Sequence, residues 1–329
     1  KKGLAACAMI VKTVKADNKI FFISTVLCNV ISICKQRSQF IIILTNLRHL
    51  INIKQSNSYM YFEFAVLFYI TFTLRKNDRN MKKRILFLIA VYFWFFIMFV
   101  LQKPLFMLFH WDIYGKIPLM EWFSVMWNGR PLDFSMAAYL TAIPALFVVA
   151  TVYLQKKWWI PVYRVYFAIV SFVVAAITLG DAVLYSYWGF RIDATPLFYL
   201  TSPADAVASI PAWETVLIVF LIFVYAALLL WPMWRLSGKT GSWQRPKKSI
   251  LSFACLLLLA ASLFIPIRGG FTVSTMNVGK VYFSDRMALN HAAINPVFSL
   301  MSSLSKSEDF SSQYRFFEPE KADVIFEPL

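Results

Sequence analysis

The sequence predicts an all-α membrane protein in which five transmembrane helices are followed by an extracytoplasmic helical linker. Hydrophobic residues make up 59% of the chain and charged residues only 15%, whereas soluble domains average about 45–50% apolar and about 25% charged residues. Mean hydropathy is +0.61. Beyond residue 80 there are five apolar runs of about 17–21 residues, the length that a helix needs to cross a bilayer.

The first 80 residues differ in character from the rest. They contain no Pro and no Trp, although the chain has 14 and 11 of these residues. The stretch MKKRILFLIAVYFWFFIMFVL, which begins at Met81, has the basic start and apolar run of a bacterial membrane protein. We therefore interpret Met81 as the biological start and residues 1–80 as upstream DNA translated in frame or a poorly ordered extension. The alternative is a real extension whose runs IFFISTVLCNVISIC and YFEFAVLFYITFTL add interfacial or spanning helices.

The five predicted spans make up a transmembrane domain over residues 81–267. Pro144 interrupts the second span, where we expect a kink, because neighbouring helices in a membrane can satisfy the carbonyl that a proline leaves unbonded. The spans run from Ile85 to Leu101, Phe134 to Leu154, Pro161 to Leu179, Val216 to Trp234 and Ile250 to Ile267.

Lys and Arg residues predict the orientation, because cytoplasmic loops of membrane proteins carry an excess of them. They cluster before the first span, around the turn between spans two and three, and between spans four and five. The loop from Gln102 to Asp133 holds three basic residues against three acidic ones, and we expect it to face outside. The N-terminus is then cytoplasmic, residues 268–329 form an extracytoplasmic linker, and the location is the bacterial inner membrane. The cytoplasmic set is Lys82, Lys83, Arg84, Lys156, Lys157, Arg164, Arg235, Lys239, Arg245, Lys247 and Lys248.

Several other functions lack their motifs. The net charge of +16 does not indicate nucleic-acid binding, because the basic groups flank apolar runs and form no stripe with exposed aromatic residues. The four cysteines have no metal-ligand spacing. The SGKTG stretch at residues 237–241 has Met233 where a P-loop needs glycine. His110 and His291 stand alone in the sequence.

Acidic residues near the predicted membrane boundary are the candidate site residues, because a charge near lipid is usually retained only with a partner. Asp181 lies at the outer end of the third span, within reach of Arg191, and this pair orients the following loop or binds a lipid head group. An exposed acid near water is the competing interpretation. Glu121 and Trp122 belong to an expected interfacial amphipathic helix, with Glu121 on its polar face.

The segment after the fifth span, residues 277–304, is too polar to cross a bilayer. We expect its apolar side chains to face lipid or the ends of the spans, and Lys280, Arg286 and Asn290 to face water or head groups. Pro296 disfavours helix at Asn295, so the segment should divide there into two short helices. The apolar set is Tyr282, Phe283, Met287, Phe298 and Leu300.

Two stretches, YSYWGFRIDATPLFYLTSP and VGKVYFSD…LNHAAINPVFS, follow the third and fifth spans. Together with the five spans, they resemble the N-terminal membrane region of the lipoteichoic acid synthase-like family. This family comprises sulfatase-fold phosphoglycerol and phosphoethanolamine transferases, and the resemblance is greatest to its Bacteroidetes branch. The resemblance covers residues 81–329. It implies a juxtamembrane linker toward an extracytoplasmic α/β catalytic domain that is absent from this chain.

In that family the catalytic domain carries a Thr nucleophile and ligands for Mn²⁺ or a similar ion, and it transfers a phospho-alcohol head group from a phospholipid to an envelope glycan or lipid. The resemblance therefore implies membrane phospholipids and the chain's own catalytic domain as partners. No catalytic or metal-binding position can be assigned here, so we expect the chain to be inactive alone. The alternatives are a self-contained five-span transporter subunit and a membrane sensor or scaffold.

Overall fold

The computed structural model describes residues 79–155, 157–198, 212–247, 249–270 and 274–305. Within these ranges the regular structure is helical, with no strand. The predictions about an upstream extension fall on residues 1–78, and the expected connector to a catalytic domain falls on residues 306–329. Both therefore lie outside the described residues.

Ten α-helices and two single turns of 3₁₀ helix make up the described part of the chain. The 3₁₀ turns are Lys239–Ser242 and Val278–Val281. In chain order the helices are α1 (Arg79–Phe109), α2 (Trp111–Tyr114), α3 (Leu119–Ala150), α4 (Trp159–Trp188), α5 (Thr195–Phe198), α6 (Ala212–Gly238), α7 (Ser249–Ser262), α8 (Phe264–Arg268), α9 (Met287–Ala293) and α10 (Pro296–Leu304).

Five helical segments in the described ranges are long and apolar enough to cross a membrane, which confirms the predicted number of spans. They correspond to α1, α3, α4, the stretch Trp213–Ser242 and the stretch Ser249–Arg268, which joins α7 and α8. The first three have 30 to 32 residues each and exceed the ~20 residues that the hydrocarbon core requires. Their ends therefore extend toward or beyond the membrane boundary.

The prediction of a long loop from Gln102 to Asp133 is wrong. Helix α1 continues to Phe109, and α3 begins at Leu119. The start of α3 has a local cause. Pro118, the residue just before α3, has an extended ψ of 143°, and its ring disfavours helix at the preceding Ile117. Helix α3 then runs through Pro131 and Pro144 without a break, as neighbouring helices in a membrane allow.

The core lies between α1 and its neighbours. Helix α1 packs along α3, α4 packs along α6, and α7 and α8 pack against α3. The side chains that α1 buries recur every three or four residues, which places them on one helix face. Helices α6 and α7 are the least buried of the five spans. The buried face of α1 includes Ile85, Leu88, Val91, Phe95 and Phe99.

At one end of the bundle, the fully buried side chain of Arg84 joins three segments of the chain. Its Nε donates to Thr151 Oγ1 at 3.0 Å and its Nη2 to the Thr151 carbonyl at 2.9 Å. Nη1 donates to the carbonyl of Gln244 at 3.1 Å. The guanidinium therefore connects the start of α1, the end of α3 and the loop between α6 and α7, as its planar fork of donors allows.

At the other end, residues 278–304 form a cap that packs on α3 and α4. The cap consists of a 3₁₀ turn, α9 and α10, and the two helices are separated at Ile294 and Asn295. Pro296 occupies the first turn of α10, where a missing backbone N–H costs nothing. The predicted division into two short helices is confirmed.

Candidate functional site

The candidate site is a layer of buried polar side chains between the cap and the ends of α1, α3 and α4. Its first element is the ion pair between Asp181 on α4 and Arg191, with Arg191 Nη2 3.0 Å from Asp181 Oδ2. The chain can return to Asp181 because Gly189 ends α4 with a φ of +70°, a left-handed conformation that glycine adopts easily. The two residues predicted to lie within reach are therefore in contact.

Both members of this pair are buried, with 1% exposure for Asp181 and 6% for Arg191. Asp181 Oδ1 also accepts a hydrogen bond from the backbone N–H of Ile192 at 2.8 Å. Arg191 Nη2 donates to the carbonyl of Ile294 in the cap at 3.1 Å. The interpretation of Asp181 as an exposed acid near water is wrong. The geometry favours the loop-orienting role over lipid head-group binding, and it adds a contact to the cap.

A second buried ion pair joins α1 to α3. Lys103 Nζ lies 2.6 Å from Asp133 Oδ1 and 2.5 Å from Oδ2, and both side chains are at most 2% exposed. Gly129 makes room for the pair, because a Cβ at this position would meet the Lys103 side chain and the Ala293 carbonyl. From the sequence, Asp133 was expected to be one of three acids in an outer loop. The pair was missed from the sequence, and the signal that could have revealed it is one charge of opposite sign near the outer end of each of two consecutive apolar runs.

Asn295 connects this ion pair to the cap. Its Nδ2 donates to Asp133 Oδ1 at 3.0 Å, and its Oδ1 accepts from the N–H of Phe298 at 3.1 Å. Asn295 is the N-cap of α10, a position that asparagine favours because its side chain satisfies an otherwise unbonded N–H. One fully buried amide therefore both starts α10 and holds it on α3.

Tyrosine and histidine side chains form the third element. Tyr185 Oη lies 3.1 Å from His291 Nδ1, and the rings of His110 and Tyr185 have centroids 5.0 Å apart. Tyr114 Oη donates to the carbonyl of Ala288 in α9 at 2.8 Å. His110 and His291, which belong to no motif in the sequence, both contact Tyr185 in the fold.

Burial controls the protonation of this cluster. It lowers the pKa of His291, and the nearby positive charge of Arg191 lowers that pKa further. Burial also lowers the pKa of His110 and raises the pKa of the Tyr114 hydroxyl, because a low-dielectric environment disfavours the charged form of each group. Both imidazoles are therefore neutral near pH 7.

The side chain of Asn290 closes the loop that precedes α9 in the cap. Asn290 is buried at 3% exposure, so the prediction that it faces water is wrong. Its Oδ1 accepts from the N–H groups of Phe283 and Ser284 at 2.9 and 3.0 Å, and its Nδ2 donates to the Ser284 carbonyl at 2.6 Å. Its polar atoms are thus satisfied by the loop that precedes α9.

The other cap residues divide between the interior and the surface. Phe298 and Leu300 are buried and Phe283 packs against the core, whereas Tyr282 and Met287 are about half exposed. Arg286 is exposed, as predicted, and pairs with Glu121 on the first turn of α3. Trp122, beside Glu121, lies against Trp111 with ring centroids 6.3 Å apart.

The polar contacts of this layer join the cap to α1, α3 and α4. Each buried acid faces a base, and in the described ranges no three His, Cys, Asp or Glu side chains come close enough to hold a metal ion. No protein-family model, curated protein or solved structure matches this chain.

Proposed function

We propose that this chain is the membrane-anchoring N-terminal part of a lipoteichoic acid synthase-like transferase, and that the cap positions a catalytic domain at the membrane surface. The observation that carries the proposal is the attachment of the cap to the bundle through buried polar contacts. A flexible tether would not need them. The proposal thereby gives a physical role to the segment on which the family resemblance depends.

The attachment is specific because three cap residues bond to three different places. Asn295 bonds to Asp133 on α3, the Ile294 carbonyl accepts from Arg191, and His291 contacts Tyr185 on α4. Undocking the cap would remove hydrogen bonds from groups in two buried ion pairs, which is costly in a low-dielectric interior. The end of α10 therefore leaves the bundle at a defined place and in a defined direction.

The proposed reaction is transfer of a phosphoglycerol or phosphoethanolamine head group from a membrane phospholipid to an envelope glycan or lipid. The nucleophile and the ligands for Mn²⁺ or a similar ion belong to the proposed catalytic domain. The membrane anchor contributes by keeping the catalytic domain close to its substrate. A catalytic group held near a membrane-bound substrate does not have to find it by diffusion through solution.

The proposed location is the bacterial inner membrane, with the cap outside the cytoplasm. The support is the arrangement of basic residues, because Arg84 and the loop after α6 lie together at the end opposite the cap and cytoplasmic loops are enriched in Lys and Arg. A reporter that is active only outside the cytoplasm should be active when fused after Ser305 and inactive after Lys157 or Lys247. Activity after Lys247 would reverse the orientation.

The enzymatic test starts from the gene beyond the codon for Leu329. Its full product, reconstituted in liposomes of phosphatidylglycerol and phosphatidylethanolamine, should release diacylglycerol in the presence of Mn²⁺ and stop when the ion is chelated. Replacing Asn295 with alanine should slow this release but leave hydrolysis of a water-soluble head-group analogue unchanged, because only the lipid reaction needs the docked cap.

The matched control for that experiment is Lys280→Ala, which changes an exposed cap residue and should affect neither reaction. A gene product without metal-dependent head-group release would reject the transferase proposal. Equal lipid activity of the Asn295 variant and the control would reject the positioning role of the cap alone.

A further inference from the structure

The end of the bundle opposite the cap, here called the basic end, carries many basic residues. It comprises the start of α1, the end of α3, the start of α4, the end of α6 and the loop that leads to α7. The sequence has no Asp or Glu in the ranges 79–111, 134–180 and 215–284, which include all of these segments. Among the described residues, the basic end therefore has no carboxylate to offset its positive charge. Its exposed or half-buried basic side chains include Lys82, Lys83, Lys157, Arg235, Lys239 and Arg245.

The tertiary structure joins these segments into one surface. Arg84 bonds to Thr151 just past the end of α3 and to Gln244 in the loop before α7. The same loop packs on the start of α4, because a Cβ at Gly241 would lie 2.6 Å from the side chain of Ile160. Basic residues that are far apart in the sequence therefore share one surface, and their positive potentials add.

Two arginines of the basic end lie over aromatic rings at the ends of the spans. The guanidinium carbon of Arg235 is 4.3 Å from the ring centroid of Trp231, and that of Arg245 is 5.7 Å from the ring centroid of Tyr153. Both rings are about half exposed. Trp and Tyr are favoured at the membrane boundary, where Arg keeps its charged group in water or among head groups. The positive charge therefore lies at the level of the lipid head groups.

Exposed apolar side chains lie directly beside this charge. Arg245 borders an open groove of ≈ 540 Å³ whose lining also includes Ile250, Leu251 and Ala254 of α7. A molecule that pairs with Arg245 in this groove is therefore also placed against apolar side chains. This combination fits an anion with hydrocarbon chains better than an acidic protein or a nucleic acid, which would bring polar groups against an apolar surface.

We propose that the basic end binds the head groups of anionic phospholipids, such as phosphatidylglycerol, in preference to zwitterionic phospholipids. Their phosphates pair with Arg235, Lys239 and Arg245, and their acyl chains pack against the exposed apolar residues of α6 and α7. A zwitterionic head group binds less strongly, because its own ammonium cancels the charge of its phosphate. Such binding requires neither the proposed transferase activity nor a particular side of the membrane.

The test compares phosphatidylglycerol with phosphatidylcholine, each carrying the same photoreactive diazirine near the glycerol backbone. The full chain is reconstituted in nanodiscs with equal amounts of both lipids. After illumination and chymotryptic digestion, mass spectrometry measures the two kinds of adduct at residues 231–247. Each Lys or Arg near an anionic lipid surface strengthens binding about fivefold, so two contacts per head group predict an adduct ratio of about 25 in favour of phosphatidylglycerol at low salt. At 1 M salt the ratio should approach one, because the screening length falls to about 3 Å.

The variants separate charge from structure. Lys239→Gln together with Arg245→Gln should lower the adduct ratio at least about fivefold, whereas Lys239→Arg together with Arg245→Lys preserves both charges and should preserve the ratio. The matched control is Lys116→Gln together with Lys280→Gln. It removes the same charge from two exposed residues away from the basic end and should leave the ratio unchanged.

Equal adduct yields from the two lipids at low salt would overturn the proposal and leave the basic end to an acidic protein or a nucleic acid. An equal loss of the ratio in the control pair and in the Lys239→Gln, Arg245→Gln pair would also overturn it, because the net charge of the chain would then select the lipid. An equal loss in the charge-preserving pair would do the same, since charge at the basic end would not decide the preference.

Discussion

Replacing Asn295 with alanine removes two hydrogen bonds, one that holds the cap on the bundle and one that caps α10. One is the bond from Asn295 Nδ2 to Asp133 at 3.0 Å, and the other is the N-cap bond from Phe298 N–H to Asn295 Oδ1 at 3.1 Å. Asn295→Ser separates them, because a serine hydroxyl caps a helix well but is too short to maintain the bond to Asp133. The two variants therefore measure the capping and bridging roles independently.

The expected magnitude follows from the two bonds. Loss of an N-cap costs about 1 kcal/mol, and loss of a buried hydrogen bond to a charged group costs about 1.5–3 kcal/mol. Helix α10 has only nine residues and is too short to stay helical once it leaves the bundle, so both terms favour cap opening. Their sum of about 2.5–4 kcal/mol corresponds to an increase of roughly 60- to 700-fold in the opening equilibrium. The serine variant loses only the bridging bond, so its effect should be about fivefold smaller than that of alanine.

The assay measures thiol labelling of a cysteine placed at Val297, which is 7% exposed in α10. Val297→Cys changes the side-chain volume little, and the four native cysteines are replaced beforehand so that only this thiol reacts. The thiol reacts slowly while the cap is closed. When the cap closes faster than the thiol reacts, the labelling rate is proportional to the population of the open form. The purified chain in nanodiscs is labelled with a maleimide in each of the three backgrounds, Asn295, Asn295→Ser and Asn295→Ala. The native cysteines are Cys7, Cys28, Cys34 and Cys255.

Equal labelling rates in all three backgrounds would refute the reasoning, because the cap would then be held by contacts that do not involve Asn295. Equal acceleration by serine and alanine would show that the N-cap bond contributes nothing and that Asp133 alone holds the residue. A faster rate for serine than for alanine would contradict the assignment of the cap altogether.

Two further predictions concern the same layer. Gly129→Ala should destabilise the chain by about 1–3 kcal/mol in thermal unfolding, because the added methyl group overpacks against Lys103 and the cap. The matched control is Gly180→Ala, whose new Cβ has no atom within 4 Å and which should be neutral or stabilising by up to about 1 kcal/mol. A larger loss of stability for Gly180→Ala than for Gly129→Ala would contradict the packing argument. Because folding lowers the pKa of His291, its neutral form contributes stability that is complete above about pH 6.5 and is lost as the pH falls through the lower folded pKa. The labelling rate at position 297, divided by the rate of a free thiol at the same pH because only the thiolate reacts, should therefore rise on acidification in the parent and less in His291→Asn. An identical pH profile for the two would exclude His291 as the titrating group.

The sequence predicted the features that depend on chain composition and local stereochemistry. Five spans followed from apolar length, because a bilayer of fixed thickness requires about 20 apolar residues per helix. The break between α9 and α10 followed from Pro296, because its ring and missing N–H act on adjacent residues only. The contact between Asp181 and Arg191 was also foreseeable, since Arg191 follows soon after Asp181 in the sequence, just beyond the end of α4.

Tertiary structure alone determined the partners of the polar layer. Lys103 and Asp133 are 30 residues apart, and Asn295 reaches Asp133 across 162 residues, so their pairing depends on how α1, α3 and the cap pack. Sequence pattern assigns Asn290 to water because it is polar, but it is buried once its own loop supplies three hydrogen bonds. Local composition thus determines which segments are helical and enter the membrane, whereas the burial of a charge or an amide depends on partners that only the folded chain brings within hydrogen-bond distance.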